Sequence, residues 1–191
     1  MLRYAITDRS LFPGDEHARR AALVDQAARM AREGVDYLQL REKDLPEGEL
    51  VTLARAIHAA IREAGGPTLL FLNGPPTLAQ WAGADGVHLS LTTFAQNLQS
   101  HHGLLVSASC HTLADVARAR EFADLILFAP VFEKRVAGEA VVPGVGLDAL
   151  RKACAAAGEV PVLALGGVTA MNSSECVLAG ASGFASIRAF L

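Results

Sequence analysis

Short apolar runs alternate with longer stretches of helical period along the whole of this chain. Runs rich in aliphatic and β-branched residues predict strands at residues 3–7, 37–41, 68–73, 86–89, 104–109, 125–129, 161–165 and 183–187. Between them, apolar residues recur three and four apart: Leu23, Ala27, Met30 and Ala31, then Leu50, Leu53, Ala54, Ile57 and Ile61, and later Leu147, Leu150 and Ala153. Each set gives a helix one apolar stripe with which to pack on a sheet. An internal echo supports the count, because AGADGVHL (82–89) and AGASGFAS (179–186) share a plan that REGVDYLQL (32–40) and REFADLILF (120–128) follow more loosely. Each reads as a helix end, often a glycine cap, followed by entry into a buried strand. Strands that are apolar throughout and separated by helices imply a parallel sheet covered on its outer face. Eight such units favour a closed barrel over an open sheet. The expectation is an α/β fold, a TIM (β/α)8 barrel formed by residues 1–191 as one domain, with its final outer helix short or missing. A missing helix exposes apolar barrel surface, which a homodimer would cover.

Composition narrows the function classes. Over 191 residues, 51% are hydrophobic and 19% charged, which fits a compact globular chain and not a disordered one. A formal charge of -3 gives no reason to expect a nucleic-acid partner or an anionic membrane surface, so any basic site is local. No apolar run approaches the roughly 18 residues of a membrane span, and Arg3 and Asp8 make the N-terminus unlike a signal peptide. Cys110, Cys154 and Cys176 have no metal or disulfide spacing and read as buried or half-buried thiols. A cytoplasmic location is expected.

Chemistry in such a barrel belongs at the C-terminal ends of the strands, and polar residues gather there. Gln39, Arg41 and Lys43 are spaced by two and so share one side of the second strand. Two cations and an amide in a row suit phosphate or pyrophosphate, Arg as a planar fork and Lys as a point charge; the alternative is an ion pair between Arg41 and a carboxylate on a neighbouring strand. After the seventh strand, Gly166 and Gly167 offer bare amides, and Ser186 and Ile187 offer more in the eighth, forming a phosphate cradle or a plain tight turn. Asn73 and Ser109 end the third and fifth strands, and Glu133 with Lys134 follows the sixth. His111 either moves protons or donates to a substrate, or else only orients its loop; Thr112 and Asp115 have the spacing of a capping box. His88 reads as support for the barrel mouth. His17, His58, His101 and His102 read as solvated, with no metal-ligand spacing.

Taken in order, YAITD, YLQLREKD, ADGVHLS, SASCHTLADV, LILFAPVFEK, VPGVGLDAL, VLALGGVT and GASGFASIRAF resemble thiamine phosphate synthases and their TenI-type paralogues from Tyr4 to Phe190. The resemblance implies a thiamine-pathway barrel that binds hydroxyethylthiazole phosphate or thiamine phosphate. In the synthases a pyrimidine pyrophosphate ionises and the thiazole nitrogen captures the carbocation, with magnesium neutralising the leaving group. By position, Gln39, Arg41 and Lys43 match the pyrophosphate row, Ser109 the strand-five serine, and Gly167 the thiazole-phosphate glycine. The chain departs from the synthases in three places. Asn73 is followed by Gly74 where they carry a magnesium-binding Asp, Thr92 and Thr93 stand where a second acid is expected, and Ala137 replaces a loop lysine, with Lys134 and Arg135 nearby. The Asn-Gly pair is similar to that of TenI-type thiazole tautomerases, which move a proton without a metal. Those enzymes carry a histidine where this chain has Pro130, which leaves His111 or Glu133 to transfer the proton. The expectation is a metal-independent thiazole tautomerase without a cofactor, with His111 and Glu133 catalytic and with Gln39, Arg41, Lys43, Asn73, Ser109, Gly166, Gly167, Ser186 and Ile187 binding substrate. The alternatives are a thiamine phosphate synthase, which would require magnesium, and a non-catalytic binder of thiazole or thiamine phosphate.

Overall fold

The computed structural model describes residues 1–90, 103–136 and 139–191. Its strands are β1 (Leu2–Ile6), β2 (Tyr37–Leu40), β3 (Leu69–Asn73), β4 (Gly86–Ser90), β5 (Leu105–Cys110), β6 (Leu125–Phe128), β7 (Lys134–Val136), β8 (Glu139–Val142), β9 (Val162–Ala164) and β10 (Gly183–Ser186). Eight of them form a closed parallel barrel in the order β1-β10-β9-β6-β5-β4-β3-β2, and each lies within a residue of its predicted position. The antiparallel β7–β8 hairpin stands outside the barrel and was not foreseen.

Helices α1 (Glu16–Arg32), α2 (Glu47–Ala64), α3 (Pro76–Ala82), α4 (Leu113–Ala119), α5 (Gly146–Ala157) and α6 (Ser173–Leu178) connect the strands, and β10 is followed by a 3-10 turn at Arg188–Phe190. Local chemistry sets their ends. Asp15 accepts from the Ala18 N–H at the start of α1, Thr112 and Asp115 form the capping box of α4, and Gly65 closes α2 at φ 72°. No helix among the described residues is long and apolar enough to cross a membrane.

The barrel strands are largely apolar on both sides because both sides are buried, the polar inward residues lying on β2 to β5. Outward residues such as Ala5, Leu38, Leu40, Leu70 and Leu72 pack under the helical stripes, where Leu23, Met30, Ile57 and Ile61 are fully buried. Inward residues fill the barrel. Tyr4, Phe71, Leu125 and Leu163 plug its lower half, and the rings of Tyr4, Tyr37 and Phe71 meet at centroid distances of 5.7 Å. Gly86 faces this plug, where a Cβ would overlap the Phe71 ring.

The floor shows what the sequence echo encodes. Asp36, Asp85 and Asp124 each precede a strand, and each accepts a backbone N–H from the strand before it: Arg3 at 2.7 Å, Leu70 at 2.8 Å and Val106 at 2.7 Å. These carboxylates tie β1, β3 and β5 to the entries of β2, β4 and β6. His58, expected to be solvated, is only partly exposed and rests 3.6 Å from Asp85. His17 is exposed as expected, and His101 and His102 lie outside the described residues.

Candidate active site at the barrel mouth

The same alternation that plugs the floor sets the chemistry of the mouth. Two residues beyond each inward plug position, the next inward side chain reaches a cavity of about 910 Å³ at the C-terminal strand ends. Ile6 follows Tyr4, Asn73 follows Phe71, His88 and Ser90 follow Gly86, and Leu127, Leu165 and Ile187 follow Leu125, Leu163 and Ala185. The result has two sides. Gln39, Arg41, Asn73, His88, Ser90 and Ser109 make the β2–β5 wall polar, while Ile6, Leu127, Leu165 and Ile187 make the opposite wall apolar. Asp8, Lys43, Gly74, Pro75 and His111 complete the lining. Such a space suits a ligand with one polar and one apolar side.

The cation row is free because neighbouring acids are already engaged. Arg9 donates to both oxygens of Asp44 at 2.7 and 2.6 Å, to Glu42 at 3.0 Å and to Glu16 at 2.9 Å. Asp44 holds the Arg9 guanidinium above its usual pKa, and Arg9 in turn lowers the Asp44 carboxyl to about 2. Buried Glu42 also accepts the Thr7 hydroxyl at 2.6 Å, and the Thr7 oxygen accepts the Arg41 N–H at 3.0 Å. The segment carrying Arg41 and Lys43 is therefore fixed by its backbone, and neither side chain has an ion pair among the described residues. The expected alternative, a structural ion pair at Arg41, does not occur among the described residues. An adjoining pocket of about 300 Å³ lined by Asp8, Arg19, Arg41 and Lys43 extends the cationic end.

His111 begins the loop after β5. Its backbone N–H donates to Asp115 at 3.0 Å, and its Nδ1 lies 2.7 Å from the Ala129 carbonyl. A carbonyl can only accept, so Nδ1 carries a proton and Nε2 is the atom able to take one up. His88 is buried instead. Its Nδ1 meets the Ser107 hydroxyl at 2.9 Å and its Nε2 meets Ser109 at 2.7 Å. Burial first, then the charges of Arg41 and Lys43, push its pKa down to about 3, so the ring is neutral near neutral pH. Behind it, Ser107 contacts Tyr4 Oη at 3.0 Å, and Gln39 Nε2 donates to the same oxygen at 3.1 Å.

Of the residues predicted from sequence, the cavity brings together Gln39, Arg41, Lys43, Asn73, Ser109, His111 and Ile187. Gly166, Gly167, Ser186 and Glu133 are not part of its lining. Gly166 (φ +92°) and Gly167 (φ +64°) have another reason to lack side chains, since a Cβ on either would come within 2.7 Å of Pro130 or Phe132. There the loops after β6 and β9 pair through Val131 N–H to Leu165 O (2.8 Å) and Phe132 N–H to Gly166 O (3.0 Å). Buried Ser186 accepts from the Ala189 N–H at 3.2 Å and braces the last turn, and Glu133 is exposed. Sequence reasoning missed Glu42, Thr7, Arg9 and Ser107. The inward parity of β5 would have found Ser107, two residues before Ser109.

Asp8 is the only carboxylate among the described lining residues, and its Oδ1 already accepts from the Ser10 N–H and hydroxyl. Magnesium in phosphate sites uses one or two carboxylates with the substrate's oxygens, and the ends of β3 and β4 supply none among the described residues. No group of three or more potential metal-binding side chains occurs there either. Thr92, Thr93 and Ala137 lie outside the described residues.

Fold and site together define a (β/α)8 barrel with an anion-accommodating mouth. Within that class, the chain belongs to the thiamine monophosphate synthase/TenI family, whose model matches residues 3–190. It is 36% identical over 190 residues to a thiamine-phosphate synthase of Methanoculleus marisnigri, covering 97% of this chain and 85% of that one. A putative thiamine-phosphate synthase 2 of Aquifex aeolicus is 33% identical, covering 98% and 96%. A solved thiamine phosphate pyrophosphorylase from Pyrococcus furiosus superposes with a TM-score of 0.77 at 26% identity, covering 97% of this chain and 85% of that one.

Proposed function

We propose that the barrel mouth binds a phosphorylated thiazole and joins it to a pyrimidine delivered as its pyrophosphate, forming thiamine phosphate. The observation that carries this reading is the row of Arg41 and Lys43, without carboxylate partners among the described residues, at the rim of a half-apolar cavity. As the pyrimidine carbon–oxygen bond breaks, the electron pair leaves with pyrophosphate, and charge developing there is stabilised by the two cations. The thiazole nitrogen lone pair then closes the new carbon–nitrogen bond. Gln39 and Ser109 orient the rings by hydrogen bonds, and Leu127, Leu165 and Ile187 shield the cation from water. The names of the relatives support this reaction over proton transfer. Asp8 is the one carboxylate among the described lining residues, so the charge on the leaving group falls to Arg41 and Lys43.

A second reading has a specific observation in its favour. His111 Nε2 is able to accept a proton beside the cavity, as a thiazole tautomerase of the family's TenI branch would need, and that chemistry requires no metal. One experiment separates the two: incubation of the pyrimidine pyrophosphate with thiazole phosphate, with and without magnesium, following thiamine phosphate. Product formation supports the condensation. Absence of product, with isomerisation of a thiazole carboxylate phosphate that His111→Ala abolishes, would replace it with the tautomerase. Absence of both activities, with thiamine phosphate still bound, would make the protein a binder.

A further inference from the structure

Five polar groups run in an unbroken chain through the barrel: Gln39, Tyr4, Ser107, His88 and Ser109, at 3.1, 3.0, 2.9 and 2.7 Å. Tyr4, Gln39, Ser107 and His88 are all buried, and the chain touches the cavity through Gln39, His88 and Ser109. Tyr4, Ser107 and neutral His88 each contribute a single proton, so the direction of any one bond dictates the rest. In one arrangement Gln39 Nε2 donates to Tyr4, Tyr4 to Ser107, Ser107 to His88 Nδ1, and Nε2–H to the Ser109 oxygen. The Ser109 proton then has no taker within the chain. In the reverse arrangement Ser109 donates inward, the histidine proton moves to Nδ1, and Tyr4 donates to Gln39, which would have to present Oε1 in place of Nε2, so the cavity meets only lone pairs of Ser109. The amide decides between them: Gln39 presents Nε2, which can only donate, to Tyr4 Oη at 3.1 Å, and that is the first arrangement.

We infer that His88 is a positioning residue, held as the Nε2–H tautomer by Ser107, and that it thereby leaves the Ser109 hydroxyl proton to the cavity, as a hydrogen-bond donor to an unprotonated ring nitrogen of the ligand. This rests on the reading above that the mouth cavity holds a heteroaromatic ligand. His88 itself transfers no proton. It offers the Ser109 proton to a ring lone pair, and so favours a ring whose nitrogen at that point is unprotonated.

Two measurements test it. Long-range ¹H–¹⁵N spectra of histidine-labelled protein at neutral pH report which nitrogen of His88 is protonated; the expected result is Nε2 alone, and an Nδ1–H ring or an imidazolium would overturn the inference. Calorimetry with thiamine phosphate as the probe then compares Ser107→Ala, Ser109→Ala and the double variant. Ser107 does not line the cavity, yet its loss is expected to weaken binding roughly tenfold, as does loss of Ser109, with the double variant no weaker than either. Fully additive losses, or none at Ser107, would show that the two serines are not linked. Should the wild type fail to bind thiamine phosphate, the functional reading falls, while the wild-type tautomer spectrum still decides the relay, as it does if Ser107→Ala folds poorly.

Discussion

One carboxylate decides where the mouth's cations can go. Glu42 takes hydrogen bonds from Thr7, from the Arg9 backbone and from the Arg9 guanidinium, and by doing so it is withheld from Arg41 and Lys43 on either side of it in sequence. Removing it leaves a guanidinium only 9% exposed with fewer partners, so Glu42→Ala is expected to destabilise the protein by about 2–4 kcal/mol. Urea unfolding measures that loss, and a change within error would mean that water replaces the carboxylate. His88 makes a pH prediction of definite sign. Its pKa falls from the ordinary 6.5 to about 3, burial being the larger cause. Between these values the unfolded chain binds a proton that the folded chain refuses, so stability decreases as pH falls from about 6.5 towards 3. The urea midpoint is expected to be lower at about pH 5 than at about pH 7, and His88→Gln to narrow that difference. A variant with the wild-type pH slope would assign the effect to other groups.

At the scale of elements, the repeated strand entries have a mechanical meaning. Asp36, Asp85 and Asp124 act across the strand boundary, each holding the amide of a neighbouring strand's second residue and so setting register at the floor. Asp36→Ala is expected to lower stability by about 1–2 kcal/mol, because it strands the Arg3 amide, while leaving ligand affinity at the opposite end unchanged. A parallel loss of affinity would show that floor and mouth are coupled. The eight barrel strands were legible because each is an apolar run bounded by turn residues. Hairpin β7–β8 was not, since strands of 3 and 4 residues are too short to display a period, and FEKRVAGEAVV mixes charge among its β-branched residues. The capping box of α4 was legible as spacing alone, and its Asp115 also orients the His111 amide.

For the molecule as a whole, sequence placed the polar wall well because alternation along a strand leaves only two choices for each side chain. It placed the glycine pair less well. A bare amide that cradles phosphate and a bare backbone that lets two loops touch look identical in sequence, and Gly166 and Gly167 lie against Pro130 and Phe132. Ser107 escaped notice because it belongs to the layer beneath the mouth. That layer has one more consequence. With Tyr4, Phe71 and Leu163 wholly buried across its interior, the barrel formed by the described residues is closed below and open at the mouth. On the proposed condensation, two reactants that share it must queue, and the one seated deeper enters first and departs last. Steady-state kinetics is therefore expected to show compulsory order, with the second reactant unable to bind productively ahead of the first and the product competing with the reactant that leads. Random order would mean that the cavity is wide enough for the two to pass.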